Sequence, residues 1–287
     1  MSILIKGGRV ITAAADDVAD VFVEGETVAA IGPALEVDAD RVIDAGGKYV
    51  LPGCIDPHTH LDMPFGGTVT IDDFESGHTS AAFGGTTCHV DFCIQAKCQT
   101  FAAALDTWHA KANGKALIDY GFHIAVTDLR ESGTLEELAS LPEQGITSFK
   151  LSMAYKNVLQ VDDETLFRAM EVAARSGALV MVHAENGDAI DVLVREALAR
   201  GETAPIHHAL TRPPELEGEA TNRAIQLARI AGAPLYVVHV TCKEAVDPIR
   251  RAREQGWAVW GETCTQYFFK TIDDLAKPKF EGAKYVY

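Results

Sequence analysis

From Tyr49 onward, short apolar segments alternate with longer amphipathic ones, and this alternation limits the possible folds more than any other feature. Short runs rich in valine, isoleucine and leucine are typical of buried strands, and the longer segments between them repeat with helical periodicity. The pattern predicts βα units and a parallel sheet. The predicted strands cover residues 49–56, 84–92, 119–127, 146–151, 178–183, 233–240 and 256–264.

The clearest predicted helix covers residues 162–176. Asp162 can cap its first turn, and Gly177 is suited to end it. Leu166 and Met170 begin an apolar stripe on one face, which continues at Ala173. Similar patterns predict helices at about 99–113, 187–200, 217–231 and 243–254.

These segments supply seven strands, whereas a closed (β/α)8 barrel has eight. Either one strand has escaped identification, or the sequence is the front part of a longer polypeptide. We favour the second explanation because an open barrel would leave an apolar edge unpaired. The predicted fold is therefore an α/β (β/α)8 TIM barrel that lacks its last strand here.

The first 48 residues have a different character. Residues 3–12 and 19–32 resemble short strands broken by glycine, and residues 41–48 resemble a further turn. A β module of this size buries too little surface to stand alone. We therefore predict part of a β-sandwich domain at residues 1–48 and a barrel domain at residues 49–287.

Composition excludes several classes of partner. The chain of 287 residues has 25 Lys and Arg against 41 Asp and Glu, a formal charge of −16. Nucleic acid and anionic membrane surfaces are therefore not expected partners. No apolar run approaches the roughly 18 residues of a membrane span. The six cysteines are scattered through a chain too large to need disulfides, which favours a soluble cytoplasmic protein with reduced thiols.

Histidines end several of the predicted strands. His58 and His60 are two residues apart, so on a strand both imidazoles point to the same face. His183 and His239 each follow a later apolar run. Because a parallel barrel brings the carboxyl ends of its strands to one mouth, these four side chains are expected to converge on a metal site.

Lys150 ends the fourth predicted strand and should point into the barrel, because Phe149 and Leu151 alternate with it on the opposite face. Four histidines suffice for one metal ion, and a second ion needs an anionic bridge. An ammonium group beside dications would be repelled and desolvated. The lysine is therefore expected to be salt-bridged, deprotonated or chemically converted.

These features together resemble the amidohydrolase superfamily, and specifically its dihydropyrimidinase and hydantoinase family. The resemblance covers essentially the whole chain. It rests on several short motifs in order, which are Ile5-Lys6-Gly7-Gly8-Arg9-Val10, Gly53 to His60, Gly84 to Thr87, Ser148 to Lys150 with Met153 to Tyr155, Val182 to Asn186, and Val238 to Thr241.

The resemblance implies a binuclear metal centre. His58 and His60 would bind the more buried ion, His183 and His239 the more exposed one, and Lys150 would bridge both after carbamylation by carbon dioxide. The ions implied are two divalent metals, with zinc preferred. A hydroxide bridging them would attack a cyclic amide, and Tyr155 would donate a hydrogen bond to the developing oxyanion.

The implied reaction is hydrolytic ring opening of a small cyclic amide, a hydantoin or a 5,6-dihydropyrimidine, by a homotetramer. Allantoinase is the enzymatic alternative. Dihydroorotase is disfavoured because residues 61–65 offer no cation for a substrate carboxylate. A non-catalytic scaffold is the alternative from another class, but it would have little reason to keep costly polar groups in a barrel mouth.

The family's general-base aspartate would lie beyond Tyr287. We therefore expect the 287-residue chain alone to be inactive, and expect a complete site only in a longer chain.

One departure from the family pattern is Ser152, where many relatives have a bulky aromatic residue. Loss of that bulk would widen the substrate pocket beside Tyr155. With Met63 and Phe65 on the loop after the first strand, Ser152 is predicted to form a pocket wall that sets substrate preference.

The remaining histidines are assigned weaker roles. His89 and His123 lie within the second and third strands and are either structural or in contact with a metal ligand. A surface position is predicted for His78, His109, His207 and His208.

Overall fold

The computed structural model describes residues 1–286 and begins with a mixed β-sheet. Its order is β3-β2-β1-β4, and β5 also pairs with β1. The small apolar core of this sheet contains Val10, Ala19 and Val21. The strands are β1 (Ser2–Ile11), β2 (Asp16–Glu24), β3 (Thr27–Gly32), β4 (Arg41–Asp44) and β5 (Tyr49–Val50).

Two predictions about this region were wrong. Residues 41–44 form a strand rather than a turn, because they pair in parallel with β1. Residues 49–50 do not begin the first barrel strand but pair with Arg9 and Val10. Pro52 and Gly53 then separate this short strand from the next, which starts only at Cys54.

The remaining strands begin with β6 (Cys54–Thr59), and the hairpin of β7 (Pro64–Phe65) and β8 (Thr68–Val69) follows it. The later strands are β9 (Thr86–Ile94), β10 (Asp119–Ala125), β11 (Ser148–Ser152), β12 (Leu179–His183), β13 (Leu235–Val237) and β14 (Val259–Gly261). Within residues 1–286, seven of these form one sheet in the order β14-β13-β12-β11-β10-β9-β6. Each strand thus lies beside its neighbour in the chain, as expected for successive βα units.

Helices occupy the connections between these strands. They are α1 (Phe74–Phe83), α2 (Phe101–Ala112), α3 (Thr134–Ser140), α4 (Asp163–Ser176), α5 (Gly187–Ala199), α6 (Ile206–Leu210), α7 (Pro214–Ala231), α8 (Lys243–Glu254) and α9 (Ile272–Leu275). The prediction for α4 is confirmed at both ends, since Asp162 accepts from the Thr165 amide and Gly177 adopts φ 75°. No helix in the described part of the chain is long and apolar enough to cross a membrane.

By contacts, the chain divides into two compact units. One contains Met1–Asp56 with Ser80–Cys88, and the other contains Pro57–Thr79 with the chain from His89 onward. The predicted division between residues 48 and 49 stays a prediction.

Alternate residues of the parallel strands build two apolar layers. Phe149 and Leu151 are fully buried in the larger layer, together with helix residues such as Leu166 and Met170. The smaller layer consists of Phe92, Met181 and Val238, with Leu179 and Tyr236 packed against it. Met181 therefore faces opposite to its neighbours Val180 and Val182, as strand alternation requires.

The prediction of a surface position for His78 was wrong. Its exposed fraction is only 1%, and it lies one helical turn after the buried Phe74 on α1. The spacing of four residues puts both side chains on the same buried face of the helix. His109 is exposed as predicted, while His207 and His208 are half-buried.

Candidate metal centre

The predicted ligand side chains come together at the carboxyl ends of the parallel strands. His58 and His60 lie at the end of β6 with ring centres 5.1 Å apart. The His183 and His239 rings are 4.6 Å apart, and His58 and His239 are separated by 5.7 Å. They come from three strands that are far apart in sequence, so the folding of the parallel sheet brings them together.

Phe92 forms a common floor beneath part of this group. Its ring centre lies 4.7 Å from that of His58 and 5.0 Å from that of His60. Lys150 Nζ lies 4.7 Å from the same ring centre. Since Phe92 belongs to the smaller apolar layer, this contact confirms that Lys150 points away from Phe149 and Leu151.

Lys150 is an unusual lysine in that its exposed fraction is only 9%. Burial lowers its pKa to about 7, opposed by the charges of Glu262 and Cys264. At this pKa a substantial fraction of the amine is neutral near pH 7. A neutral amine is the form that reacts with carbon dioxide, so Lys150 has the protonation state that carbamylation requires.

Glu262 determines the tautomer of His58. Its Oε1 lies 2.5 Å from His58 Nδ1, so the ring donates the Nδ1 proton to the carboxylate. Tyr236 donates its hydroxyl to Oε2 of the same carboxylate at 3.1 Å. A neutral His58 consequently has its lone pair on Nε2, the arrangement found when a metal-binding histidine is oriented by a carboxylate.

Glu185 plays the same part for His183. His183 Nε2 lies 2.6 Å from Glu185 Oε2, while Arg212 Nε lies 3.8 Å from the other carboxylate oxygen. The lone pair of a neutral His183 is therefore on Nδ1, which lies 2.9 Å from His239 Nε2. Burial lowers the pKa of both histidines, so both are held as the neutral imidazoles that metals bind.

His60 carries the clearest sign of an absent partner. Its Nδ1 is buried and has no hydrogen-bond partner among residues 1–286. Burial, with the charges of His58 and Lys150, lowers the His60 pKa to about 3. A buried polar atom without a partner is costly, and a metal ion would remove that cost.

Over residues 1–286, no group of three or more His, Cys, Asp or Glu side chains has an arrangement that would hold a metal ion. The histidines instead lie as two pairs, and a pair alone does not complete a metal site. Lys150 packs on the Phe92 ring, which also contacts His58 and His60, and its charge helps to lower the pKa of His183 and His239. The donor set thus fits metal ions if a further anionic ligand is supplied, as a carbamate on Lys150 would do.

Tyr155 lies beside this group in a constrained backbone conformation. Its ring centre is 4.9 Å from that of His183 and 5.2 Å from that of Phe65. Its φ of 65° is unfavourable for a tyrosine. The turn is held because the Tyr155 carbonyl accepts the amides of Val158, Leu159 and Gln160.

The predicted pocket-wall residues differ in their surroundings. Phe65 lies in the β7-β8 hairpin, whose turn residues Gly66 and Gly67 both have positive φ. The amide of Met63 donates to the Thr70 hydroxyl at 2.8 Å, which anchors the base of the hairpin. Ser152 is buried, and its hydroxyl bonds the backbone of Ala154.

Sequence reasoning missed Glu262 as a contact of this group and left open whether His123 is structural or contacts a metal ligand. Glu262 follows β14 directly, so the strand-end rule that identified the histidines also applies to it. His123 donates from Nε2 to the carbonyl of Pro57, next to His58, at 2.9 Å. Burial lowers the His123 pKa to about 4, which keeps the ring neutral.

Comparison with known proteins agrees with this geometry. A D-hydantoinase from Geobacillus stearothermophilus is 57% identical over 288 residues, covering 100% of this chain and 61% of the relative. A dihydropyrimidinase from Arabidopsis thaliana is 48% identical over 286 residues, covering 99% of this chain and 54% of the relative. The crystal structure of dihydropyrimidinase from Brevibacillus agri matches with a TM-score of 0.98 and 58% identity, covering 100% of this chain and 62% of that one.

The chain thus spans 54% to 62% of the length of these relatives. The predicted fold class, a (β/α)8 barrel with a small N-terminal β portion, is confirmed, and residues 1–286 contain seven strands of the parallel sheet. Amidohydrolase family proteins generally bind divalent metals, in accord with the histidine pairs. Residues 49–268 match the Amidohydrolase family, so the chain belongs to that family.

Proposed function

We propose that this protein opens the ring of cyclic amides, hydantoins or 5,6-dihydropyrimidines, by hydrolysis. In this reaction a ring carbonyl carbon gains the oxygen of water, its bond to nitrogen breaks, and the nitrogen takes up a proton. The observation that carries the proposal is the convergence of four histidines and a buried lysine at the sheet's carboxyl ends. The relatives' names, D-hydantoinase and dihydropyrimidinase, support this substrate class.

Two divalent ions, with zinc preferred, would supply Lewis-acid polarisation of the carbonyl and a water of lowered pKa. His58 and His60 would hold one ion, and His183 and His239 the other. Lys150 would link them after its neutral amine adds to the carbon of carbon dioxide and releases a proton, which leaves an anionic carbamate on its nitrogen. Glu262 and Glu185 would keep their histidines in the metal-binding tautomer.

Tyr155 is proposed to donate its hydroxyl proton to the substrate carbonyl oxygen as negative charge develops there. Burial raises the pKa of Tyr155, so the phenol keeps its proton near neutral pH. The three backbone N–H groups that donate hydrogen bonds to its carbonyl hold the residue in place before substrate arrives. Preorganised donors of this kind stabilise an oxyanion more than water does.

Met63, Phe65 and Ser152 are proposed to line the side of the pocket that receives the ring substituent. The edge contact between Phe65 and Tyr155 supports a position for the hairpin beside the proposed oxyanion donor. We further propose a cytoplasmic homotetramer with a small-molecule substrate. The cytoplasmic location rests on the six cysteines, which form no disulfide within residues 1–286, as is usual in a reducing compartment. The tetramer rests on family resemblance.

The proposal is tested with metal-loaded protein expressed from its full reading frame. Turnover of hydantoin, a 5-aryl hydantoin and dihydrouracil is compared between the wild type and Lys150→Ala. Lys115→Ala is the matched control, since Lys115 pairs with Asp73 on the surface. We expect turnover in the wild type and Lys115→Ala and its loss in Lys150→Ala. A wild type that binds metal but opens only allantoin would replace the proposed substrate class, and one that binds no metal would favour a scaffold.

A further inference from the structure

A fully buried carboxylate outside the ligand group contacts the chain on both sides of His60. Asp91 lies on β9, and its Oδ2 accepts the Leu61 amide at 2.9 Å. The same oxygen accepts the Thr59 hydroxyl, also at 2.9 Å. A single carboxylate oxygen thus holds the residue before His60 through its side chain and the residue after it through its backbone.

The other oxygen of Asp91 is held from the opposite side. Trp108 on α2 donates its indole proton to Oδ1 at 3.2 Å. Burial raises the pKa of Asp91 to about 6, and the donors from Leu61, Thr59 and Trp108 oppose that rise. The carboxylate is therefore fixed between the helix and the strand end, with acceptors directed at both.

Two buried histidines set the direction of the Thr59 hydroxyl. The amides of Leu117 and Ile118 donate to His78 Nδ1 at 2.9 and 3.2 Å, so a neutral His78 carries its proton on Nε2. That proton lies toward His89 Nε2 at 2.6 Å. His89 then donates from Nδ1 to the Thr59 oxygen at 2.7 Å, which leaves the hydroxyl proton to point at Asp91.

His60 has a specific need for such support. The His58 ring is oriented by Glu262 and the His183 ring by Glu185, each through a direct hydrogen bond. In the part of the chain that is described, His60 Nδ1 has no such bond. With Nδ1 left for a metal ion, the ring is positioned by its contacts with Phe92 and His58 and by the chain that carries it, which Asp91 holds on both sides.

We propose that Asp91, acting through Thr59 and the Leu61 amide, is a positioning residue for His60 as a metal ligand. His78 and His89 support it by directing the Thr59 hydroxyl. This inference rests on the proposed function, because it concerns the metal that His60 would hold. Asp91 lies more than thirty residues after His60 in sequence. It would orient His60 indirectly, whereas Glu262 and Glu185 orient their histidines by direct hydrogen bonds.

The test measures binding of Co(II), used as a spectroscopic probe, by competition with a chelator and by the visible d–d spectrum of the bound ion. The variants are Asp91→Asn, which replaces one acceptor oxygen by a donor, and Thr59→Val, which removes the hydroxyl with little change of shape. Thr59→Ser is the conservative counterpart. Asp20→Asn is the matched structural control, since Asp20 is also buried and accepts the amides of Gly7 and Leu35.

We expect one of the two Co(II) equivalents to bind ten- to hundred-fold more weakly in Asp91→Asn and Thr59→Val, with a changed d–d spectrum. Thr59→Ser should restore the wild-type affinity, and Asp20→Asn should lower thermal stability without changing metal affinity. Wild-type affinities in both Asp91→Asn and Thr59→Val, or an equal loss in Asp20→Asn, would overturn the inference alone. A wild type that binds no Co(II) would overturn the proposed function and this inference with it.

Discussion

His183 Nε2 and Glu185 Oε2 lie 2.6 Å apart, and this contact decides which nitrogen of His183 carries the lone pair. The carboxylate takes the Nε2 proton, so Nδ1 is left facing His239 Nε2 at 2.9 Å. Glu262 has the equivalent relation to His58. In each histidine pair of the proposed centre, a carboxylate outside the pair thus fixes the tautomer of one histidine and leaves its other nitrogen available to a metal ion.

Removal of either carboxylate should weaken metal binding. We expect Glu185→Ala and Glu262→Ala each to lower the affinity for one metal equivalent about 10- to 100-fold, because the histidine loses its fixed tautomer and orientation. The measurement is zinc retention against a graded chelator. Glu202→Ala, which removes a surface partner of Arg200, should retain wild-type affinity. Unchanged affinity in Glu185→Ala and Glu262→Ala would show that these carboxylates do not orient metal ligands.

Loss of the Tyr155 hydroxyl should slow the chemical step more than it weakens substrate binding. For Tyr155→Phe we expect kcat to fall about 100-fold with KM changed only slightly, as for removal of one oxyanion donor. Steady-state kinetics on dihydrouracil tests this expectation. Tyr49→Phe, at an exposed tyrosine of the N-terminal sheet, is the control. A rise in KM at constant kcat would instead give Tyr155 a role in ground-state binding.

Added bulk at residue 152 should discriminate between substrates. We expect Ser152→Phe to reduce kcat/KM for a 5-aryl hydantoin more than for unsubstituted hydantoin, because the new ring would narrow the pocket beside Tyr155. Ser152→Ala, which removes only the hydroxyl bonded to Ala154, should affect both substrates alike. Since overpacking a buried site costs typically 1–3 kcal/mol, thermal melting is measured in parallel. An equal loss on both substrates would remove Ser152 from the pocket wall.

The N-terminal cap of α4 should make a pH-dependent contribution to stability. Asp162 Oδ1 accepts the Thr165 amide at 2.8 Å, and bonding to Thr165 lowers the pKa of this carboxyl below its usual value near 3.8. Because the folded-state pKa is lowered, the stabilisation is complete above about pH 4 and is lost as the pH falls further. Asp162→Ala should lower the free energy of unfolding by about 1 kcal/mol at pH 7.

The check is urea unfolding between pH 3 and pH 7. Asp162→Asn can cap the helix without titrating, so its difference from the wild type should shrink or change sign toward pH 3. A difference between wild type and Asp162→Asn that stays constant across this range would contradict the assigned role of the ionised carboxylate.

Local sequence pattern was enough to predict the direction of the strand side chains and the location of the candidate site. Strand periodicity places Lys150 opposite to Phe149 and Leu151, and the packing around Phe92 bears this out. Side chains at the carboxyl ends of parallel strands are expected to share one mouth, and the ring centres of His58 and His239 do lie 5.7 Å apart. Such inferences succeed because side-chain direction on a strand depends only on neighbours in sequence.

Tertiary structure alone decided the partners of these side chains. Glu262 lies 204 residues after His58, and their strands stand at opposite ends of the sheet order, so only the folded structure shows that the two side chains meet. His78 appears polar and solvent-facing in its helix, yet its burial follows from packing with Phe74 and His89. Similarly, Tyr49 and Val50 join the N-terminal sheet because Arg9 and Val10 offer a free edge. Hydrogen bonds between distant segments depend on how whole elements pack, and no local periodicity records them.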